Sequence, residues 1–122
     1  MKTKIVVIND FTVRKTAEME RWKELENKYD CSVHMVEDRP EIDNSDKFNE
    51  MFLTLEKKGP DALPVNENLV LAAKDADIII SHISPVPKKV IDAGKKLKAV
   101  CIMRSGVENV DTAYAAEKGV KV

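Results

Sequence analysis

Residues 76–122 read ADIIISHISPVPKKVIDAGKKLKAVCIMRSGVENVDTAYAAEKGVKV, and this stretch decides the fold. The apolar run at 77–80 predicts a buried strand, and the polar, proline-containing segment 81–87 predicts a turn. Pro87 stands where a helix's first turn begins, and that helix is expected to reach 93–96, with Gly94 near its end. A second apolar run, 99–103, opens into Arg104, Ser105 and Gly106. Asp111 then precedes a helical segment that Gly119 ends, and residues 120–122 begin another strand. Strand and helix alternate throughout, which is the order of a parallel sheet whose neighbouring strands need crossovers. Such sheets bind small ligands outside the carboxyl ends of their strands. That is where this stretch puts its polar residues and a glycine.

Upstream the same alternation holds. Residues 4–8 form a nearly unbroken β-branched run ending in Asn9 and Asp10, as a central parallel strand does. Residues 14–29 carry Ala17, Trp22 and Leu25 among charges and predict an amphipathic helix. Residues 32–36 predict a second strand, with Val33 and Met35 on one face and His34 on the other. A polar loop, 37–45, leads to a helix at 46–58 with Phe48, Met51, Phe52 and Leu55 on one stripe, stopped by Gly59 and Pro60. Asn66 is placed to cap a further helix, 66–74. The expectation is one α/β domain of flavodoxin-like, three-layer αβα form. Its five-stranded parallel sheet has the order 2-1-3-4-5, with a switch point between strands 1 and 3.

Composition narrows the function. With 43% hydrophobic and 34% charged residues over 122 positions, the chain suits one globular core rather than disorder. A net charge of −1 argues against nucleic acid as a partner, since phosphate binding needs a basic surface. No apolar run approaches the ~20 residues of a membrane span. The opening MKTKIVVIND lacks a small-residue cleavage site and reads as a strand rather than a leader. Cys31 and Cys101 stand apart, each in a predicted strand, so both are expected as core thiols in a reducing, cytoplasmic setting. No CxxC occurs, and neither His34 nor His82 has metal-ligand spacing to a cysteine.

The four glycines, Gly59, Gly94, Gly106 and Gly119, contain no G-x-G, so the chain has neither a dinucleotide fingerprint nor a P-loop. No cofactor is expected on it. The loop Arg104–Ser105–Gly106 is the leading contact candidate. A glycine after a strand lets successive N–H groups converge on one anion, and an arginine beside it adds a charge-assisted bond. Glu108, Asn109 and Asp111 invite a reading as a carboxylate site, but Asp111 is placed as a helix cap and Asn109 suits the turn.

LKAVCIMRSGVENVD (97–111) followed by AAEKGVKV (115–122) resembles the end of the substrate domain of the D-isomer-specific 2-hydroxyacid dehydrogenases, the phosphoglycerate dehydrogenase-like family. The family's pattern is G-x-(D/E)-N-(V/I)-D and then AA-x-x-x-G-(I/V)-x-V, from which this chain departs by having two residues rather than three between Ala116 and Gly119. The resemblance implies a substrate-binding domain joined, in the whole enzyme, to a nucleotide-binding domain that holds NAD(P). Residues 1–122 would then be one domain of the two, cut at the link and inactive alone. It further implies that amides at Ser105 and Gly106 hold the carboxylate of a 2-hydroxy or 2-oxo acid. No position matches the family's catalytic Arg, Glu and His, so none is assigned. Ser81, His82 and Ser84, ending strand 3 beside the switch point, could hydrogen-bond the same acid. Asn9, Asp10, Phe11 and Thr12, ending strand 1, would face the same cleft.

Other classes fit less well. A phosphoacceptor receiver needs an Asp after strand 3, where Ser81 and His82 stand. Flavin binding needs a hydroxyl-rich loop after strand 1, of which Thr12 and Thr16 are a thin version. A stand-alone small-molecule binding or regulatory domain of the same fold is the alternative. The strand at 120–122 would leave an open sheet edge, so self-association is expected.

Overall fold

In the computed structural model of the chain, which describes residues 2–11, 19–104 and 106–122, the first strand occupies the middle of the sheet. Strand β1 (Thr3–Asn9) has no polar face to offer solvent. Val6 and Ile8 point into one apolar layer, and Ile5 and Val7 into the other. Strand β2 (Cys31–Glu37) pairs along its full length, Thr3 opposite Cys31 and Asn9 opposite Glu37. Strand β3 (Ile78–Ser81) lies on the other side of β1, and β4 (Ala99–Ile102) beyond it. The order is β2-β1-β3-β4, all parallel. The chain winds outward from β1 to β2 and then crosses back to β3, which puts the switch point between β1 and β3.

The fifth strand is present in place but not in length. Lys121 sits beside Ala99 in a single parallel bridge. Val100 N–H donates to the Lys121 carbonyl (2.7 Å) and Lys121 N–H to the Lys98 carbonyl (3.0 Å). The described sheet therefore has four strands rather than the expected five, with the fifth begun where the order 2-1-3-4-5 requires it.

The two faces are covered by different helices. One layer receives α3 (Glu67–Ala73), α4 (Lys88–Ala93) and α5 (Thr112–Glu117), which bury Leu69, Ala73, Val90, Ile91 and Ala115 against Val6, Ile8, Ile79 and Val100. Burial of each such aliphatic side chain contributes about 1.5–3 kcal/mol. The other face receives α1 (Met19–Lys28), through Trp22 and Leu25. The predicted beginning of that helix, including Ala17, lies outside the described residues, as do Thr12 and Thr16. Helix α2 (Ser45–Lys58) follows β2 and builds a third apolar cluster, in which Met51 and Leu55 meet Ile42, Ile83, Phe11, Phe48 and Phe52. Its start is fixed by Asn44, whose side chain accepts from Lys47 N–H (2.9 Å). Its end is fixed by Gly59 at φ +85, a conformation side chains other than glycine's seldom adopt. Asn66 caps α3 as expected, accepting from Asn68 N–H (3.0 Å).

One expectation needs correction. Cys31 is buried, but Cys101 is exposed. Among the described residues, α1 alone covers that face, and it sits over the β1–β2 side. Ile78 and Ile80 are therefore only partly buried, and Cys101 on β4 reaches solvent. His34 also projects from β2 to the surface. Among the described residues no helix is long and apolar enough to cross a membrane.

Helix α5 carries a local electrostatic feature that can be titrated. Asp111 caps it by accepting from Tyr114 N–H (3.0 Å). The Tyr114 hydroxyl donates to Asp92 of α4, and that hydrogen bond raises its pKa to about 12, with desolvation and the Asp92 charge adding to the shift. Ionisation removes the donor and sets a phenolate against a carboxylate. The folded pKa lies above the ordinary value of about 10, so this contact contributes fully below pH ~10 and is lost as pH rises through about 12. Tyrosinate absorbance should therefore show one of the two tyrosines titrating near pH 12, and Tyr114→Phe should remove that step. A wild-type curve with both tyrosines near pH 10 would rule the contact out.

Candidate functional site at the carboxyl ends of the strands

The loops that leave β1, β2, β3 and β4 are tied together by buried polar side chains. Asp10, 3% exposed, accepts from Ile83 N–H (3.0 Å) and so joins the end of β1 to the loop after β3. Asp38, 1% exposed, follows β2 and is the hub. It accepts from Arg39 Nη1 (2.7 Å), Asn66 Nδ2 (3.0 Å) and Ser84 Oγ (2.6 Å). The Ser84 carbonyl accepts from Ser81 Oγ (2.8 Å) and Asn109 Nδ2 (2.9 Å), which brings in the loop after β4. Each buried donor and acceptor in this chain has been taken out of water, so the bonds hold the loops in one arrangement.

This network changes the role of two predicted contact residues. Ser81 and Ser84 were expected to bond a ligand, yet both are fully buried and both hydroxyls donate within the protein. They organise the turn. The apolar and proline residues around them, Ile83, Pro85, Val86 and Pro87, are buried too, so the segment read as a polar turn is packed inside. His82 alone of the three has accessible surface, being half-buried at the end of β3. Asp10 likewise organises its turn.

Arg104, Gly106 and Glu108 form the accessible part of the site, in the loop after β4. The guanidinium of Arg104 lies over the Phe52 ring of α2, 5.2 Å from its centroid, and its Nη2 pairs with Glu108 Oε2 at 2.9 Å. The Arg104 side chain is only 17% exposed, and its Nη1 is buried without a hydrogen-bond partner among the described residues. Cation–π contact and partial burial fix the guanidinium in orientation as well as position. Gly106 passes beneath this pair so closely that an added Cβ would lie 2.7 Å from Arg104 Nη2 and 2.9 Å from Glu108 Oε1. Ser105 lies outside the described residues.

Sequence reasoning missed Asp38, Arg39, Asn66 as a donor, and the roles of Phe52 and Glu108. Asp38 and Arg39 sat in a stretch that read only as polar loop. The one available signal was that a loop after β2 in this topology lies at the ligand-binding edge. A groove of about 580 Å³ also opens there, with Arg39, Lys47, Glu50 and Met51 among its walls, but it includes neither Arg104 nor Gly106. Its walls carry charges of both signs.

The residues at the first strand-to-helix turn do not fit a dinucleotide. A pyrophosphate needs glycines there and free amides. Asn9, Asp10 and Phe11 begin that turn instead, with the Asp10 carboxylate buried and accepting from Ile83 N–H.

Known proteins agree with this architecture. Residues 6–122 match the family described as D-isomer specific 2-hydroxyacid dehydrogenase, catalytic domain. A Staphylococcus aureus (strain MRSA252) protein bearing the name 2-hydroxyacid dehydrogenase is 44% identical over 57 residues, which is 46% of this chain and 18% of that protein. The chain thus spans about a fifth of the length of the curated relatives it matches. In structure it is similar to NAD+-bound 3-phosphoglycerate dehydrogenase of Entamoeba histolytica, with a TM-score of 0.63 and 19% identity over 98% of this chain and 32% of that one. It is also similar to apo D-lactate dehydrogenase of Escherichia coli, with a TM-score of 0.57 and 13% identity over 98% of this chain and 31% of that one. A match over nearly the whole length, on a sheet with this strand order, leaves one conclusion: the chain belongs to the D-isomer specific 2-hydroxyacid dehydrogenase family, matching its catalytic domain.

Proposed function

We propose that this chain is the substrate-binding domain of an NAD(P)-dependent 2-hydroxyacid dehydrogenase, and that its loop after β4 grips the carboxylate of a 2-hydroxy or 2-oxo acid. The observation that carries the reading is Arg104, held on Phe52 beside the close backbone of Gly106 at the carboxyl end of a parallel strand. A fixed guanidinium next to the backbone of a glycine suits a planar carboxylate. His82, at the neighbouring strand end, would face the same ligand. Ser81, Ser84, Asn109 and Asp38 would serve indirectly, by keeping the loops in register. The nicotinamide, held by another part of the enzyme, would exchange hydride with C2 of the acid. The work of this chain would be to bind the acid, orient C2 and exclude water as the cleft closes.

The test is Gly106→Ala in the full-length enzyme. The added methyl would meet the Glu108 carboxylate and the Arg104 guanidinium rather than backbone, so the fold absorbs it chiefly by swinging the exposed Glu108 side chain away and opening its pair with Arg104. The expected result is a fall of about tenfold in kcat/KM for the oxo acid, carried by KM, which corresponds to ~1.4 kcal/mol of lost binding. The melting temperature should hardly move. Unchanged kinetics would remove the loop from the site.

A further inference from the structure

We propose that Phe52 of α2 is the positioning residue for Arg104. Its ring face holds the guanidinium in the orientation an incoming carboxylate meets, so a helix outside the loop sets the loop's affinity. The inference rests on the reading of the Arg104 loop as a carboxylate site and adds to that site a residue from another element.

Among the described residues two contacts hold the guanidinium, and they differ in strength. Nη2 pairs with Glu108 at 2.9 Å, but the Glu108 side chain is 44% exposed, and ion pairs so open to solvent contribute little. Nη1 is buried and has no hydrogen-bond partner among the described residues. The face of Phe52 is the other contact, 5.2 Å from the guanidinium carbon. Only 17% of the Arg104 side chain is exposed, so this cation–π attraction acts where water screens it poorly. The group is held by its plane more than by its donors. Phe52 is itself fixed. Met51 and Leu55 of α2 are buried in the third apolar cluster, whereas Phe52 is only partly buried against it and keeps a face for the arginine. Its ring stacks on Phe48 at 6.1 Å, and Phe48 meets Phe11, just after β1, at 5.6 Å. The aromatic row therefore runs from the loop after β1, through α2, to the loop after β4. An arginine with free rotors has to be ordered and stripped of water as the acid binds, which lowers affinity. On Phe52 much of that has happened before the acid arrives. The ring changes orientation and not charge, since a guanidinium stays protonated at any working pH.

Nuclear magnetic resonance of the isotope-labelled 122-residue chain tests this. Wild type should show cross-relaxation between the Phe52 ring protons and the Arg104 Nε–H. A proton over a ring face is shifted upfield, so Phe52→Leu should move that resonance downfield by more than that of any of the other three arginines. Phe52→Tyr keeps the ring and should leave it in place. Pyruvate is then titrated in, with the Gly106 amide as readout. Phe52→Leu should raise the dissociation constant about fivefold, the size expected when one side chain must be ordered by the ligand. Phe52→Tyr should restore wild-type affinity, which a role in packing alone would not require of the ring face. Absent cross-relaxation in wild type, an Arg104 resonance that Phe52→Leu leaves unmoved, or a Phe52→Tyr as weak as Phe52→Leu would overturn the role given to Phe52. Pyruvate binding that Arg104→Gln leaves unchanged, or a wild-type Gly106 amide silent to pyruvate, is a different failure and would overturn the carboxylate-site reading itself.

Discussion

Asp38→Ala is expected to lower the unfolding free energy by about 3 kcal/mol, at the lower end of the ~3–5 kcal/mol seen when one partner of a buried ion pair is removed. The carboxylate is 1% exposed and is shared by Arg39, Asn66 and Ser84. Its loss strands a guanidinium and two neutral donors in the interior. The estimate sits at the lower end because the Arg39 side chain keeps 11% of its surface and donates also to the Pro64 carbonyl, so part of the orphaned charge stays solvated. Denaturant unfolding with an unchanged m-value would measure the effect. Asp43→Ala is the matched control. Its carboxyl is held below the usual carboxylate range by a hydrogen bond and charge from Lys47, yet it is 69% exposed, and no measurable change is expected. Equal effects of the two substitutions would show that the network does not hold the loops.

That network also marks where the sequence stopped being legible. The fold was readable because it depends on local pattern. The run at 4–8, the apolar segment at 77–80, the Asn66 cap and the glycine after residue 58 each act within a few residues, and each appears where expected. The site depends on contacts between positions far apart in the chain. Ser84 meets Asp38 across 46 residues, and Asn109 meets Ser84 across 25. A serine that bonds a ligand and a serine that bonds a buried aspartate look the same in sequence, so Ser81 and Ser84 were given the wrong surroundings. Cys101 failed for a related reason. A strand's alternation shows which residues share a face, but not whether a helix covers it. The Arg104 loop was legible in part, because glycine after a strand is itself a local signal. The aromatic platform under the arginine was not, since Phe52 read only as one member of an apolar helical stripe.

Titration of the 122-residue chain with NADH is expected to give no saturable binding, with any affinity at about 1 mM or weaker, and no NADH oxidation with a panel of 2-oxo acids. Dinucleotide pyrophosphates are held by backbone N–H groups at a first strand-to-helix turn, which only glycines allow the ligand to approach. The four glycines here are Gly59, Gly94, Gly106 and Gly119, and none belongs to that turn. Asn9, Asp10 and Phe11 do. Asp10 adds a second obstacle, because its carboxylate is buried at the turn and already accepts from Ile83 N–H (3.0 Å). A pyrophosphate placed there would gain no free amide from Ile83 and would face a like charge in surroundings that screen it poorly. Calorimetry sets the threshold for the test. Micromolar affinity corresponds to about −8 kcal/mol, which is not expected from a turn that has no glycine to let a pyrophosphate approach its amides. A micromolar constant, or turnover of any acid in the panel, would mean that this chain carries a dinucleotide site of its own, and the division of labour proposed for it would have to be abandoned.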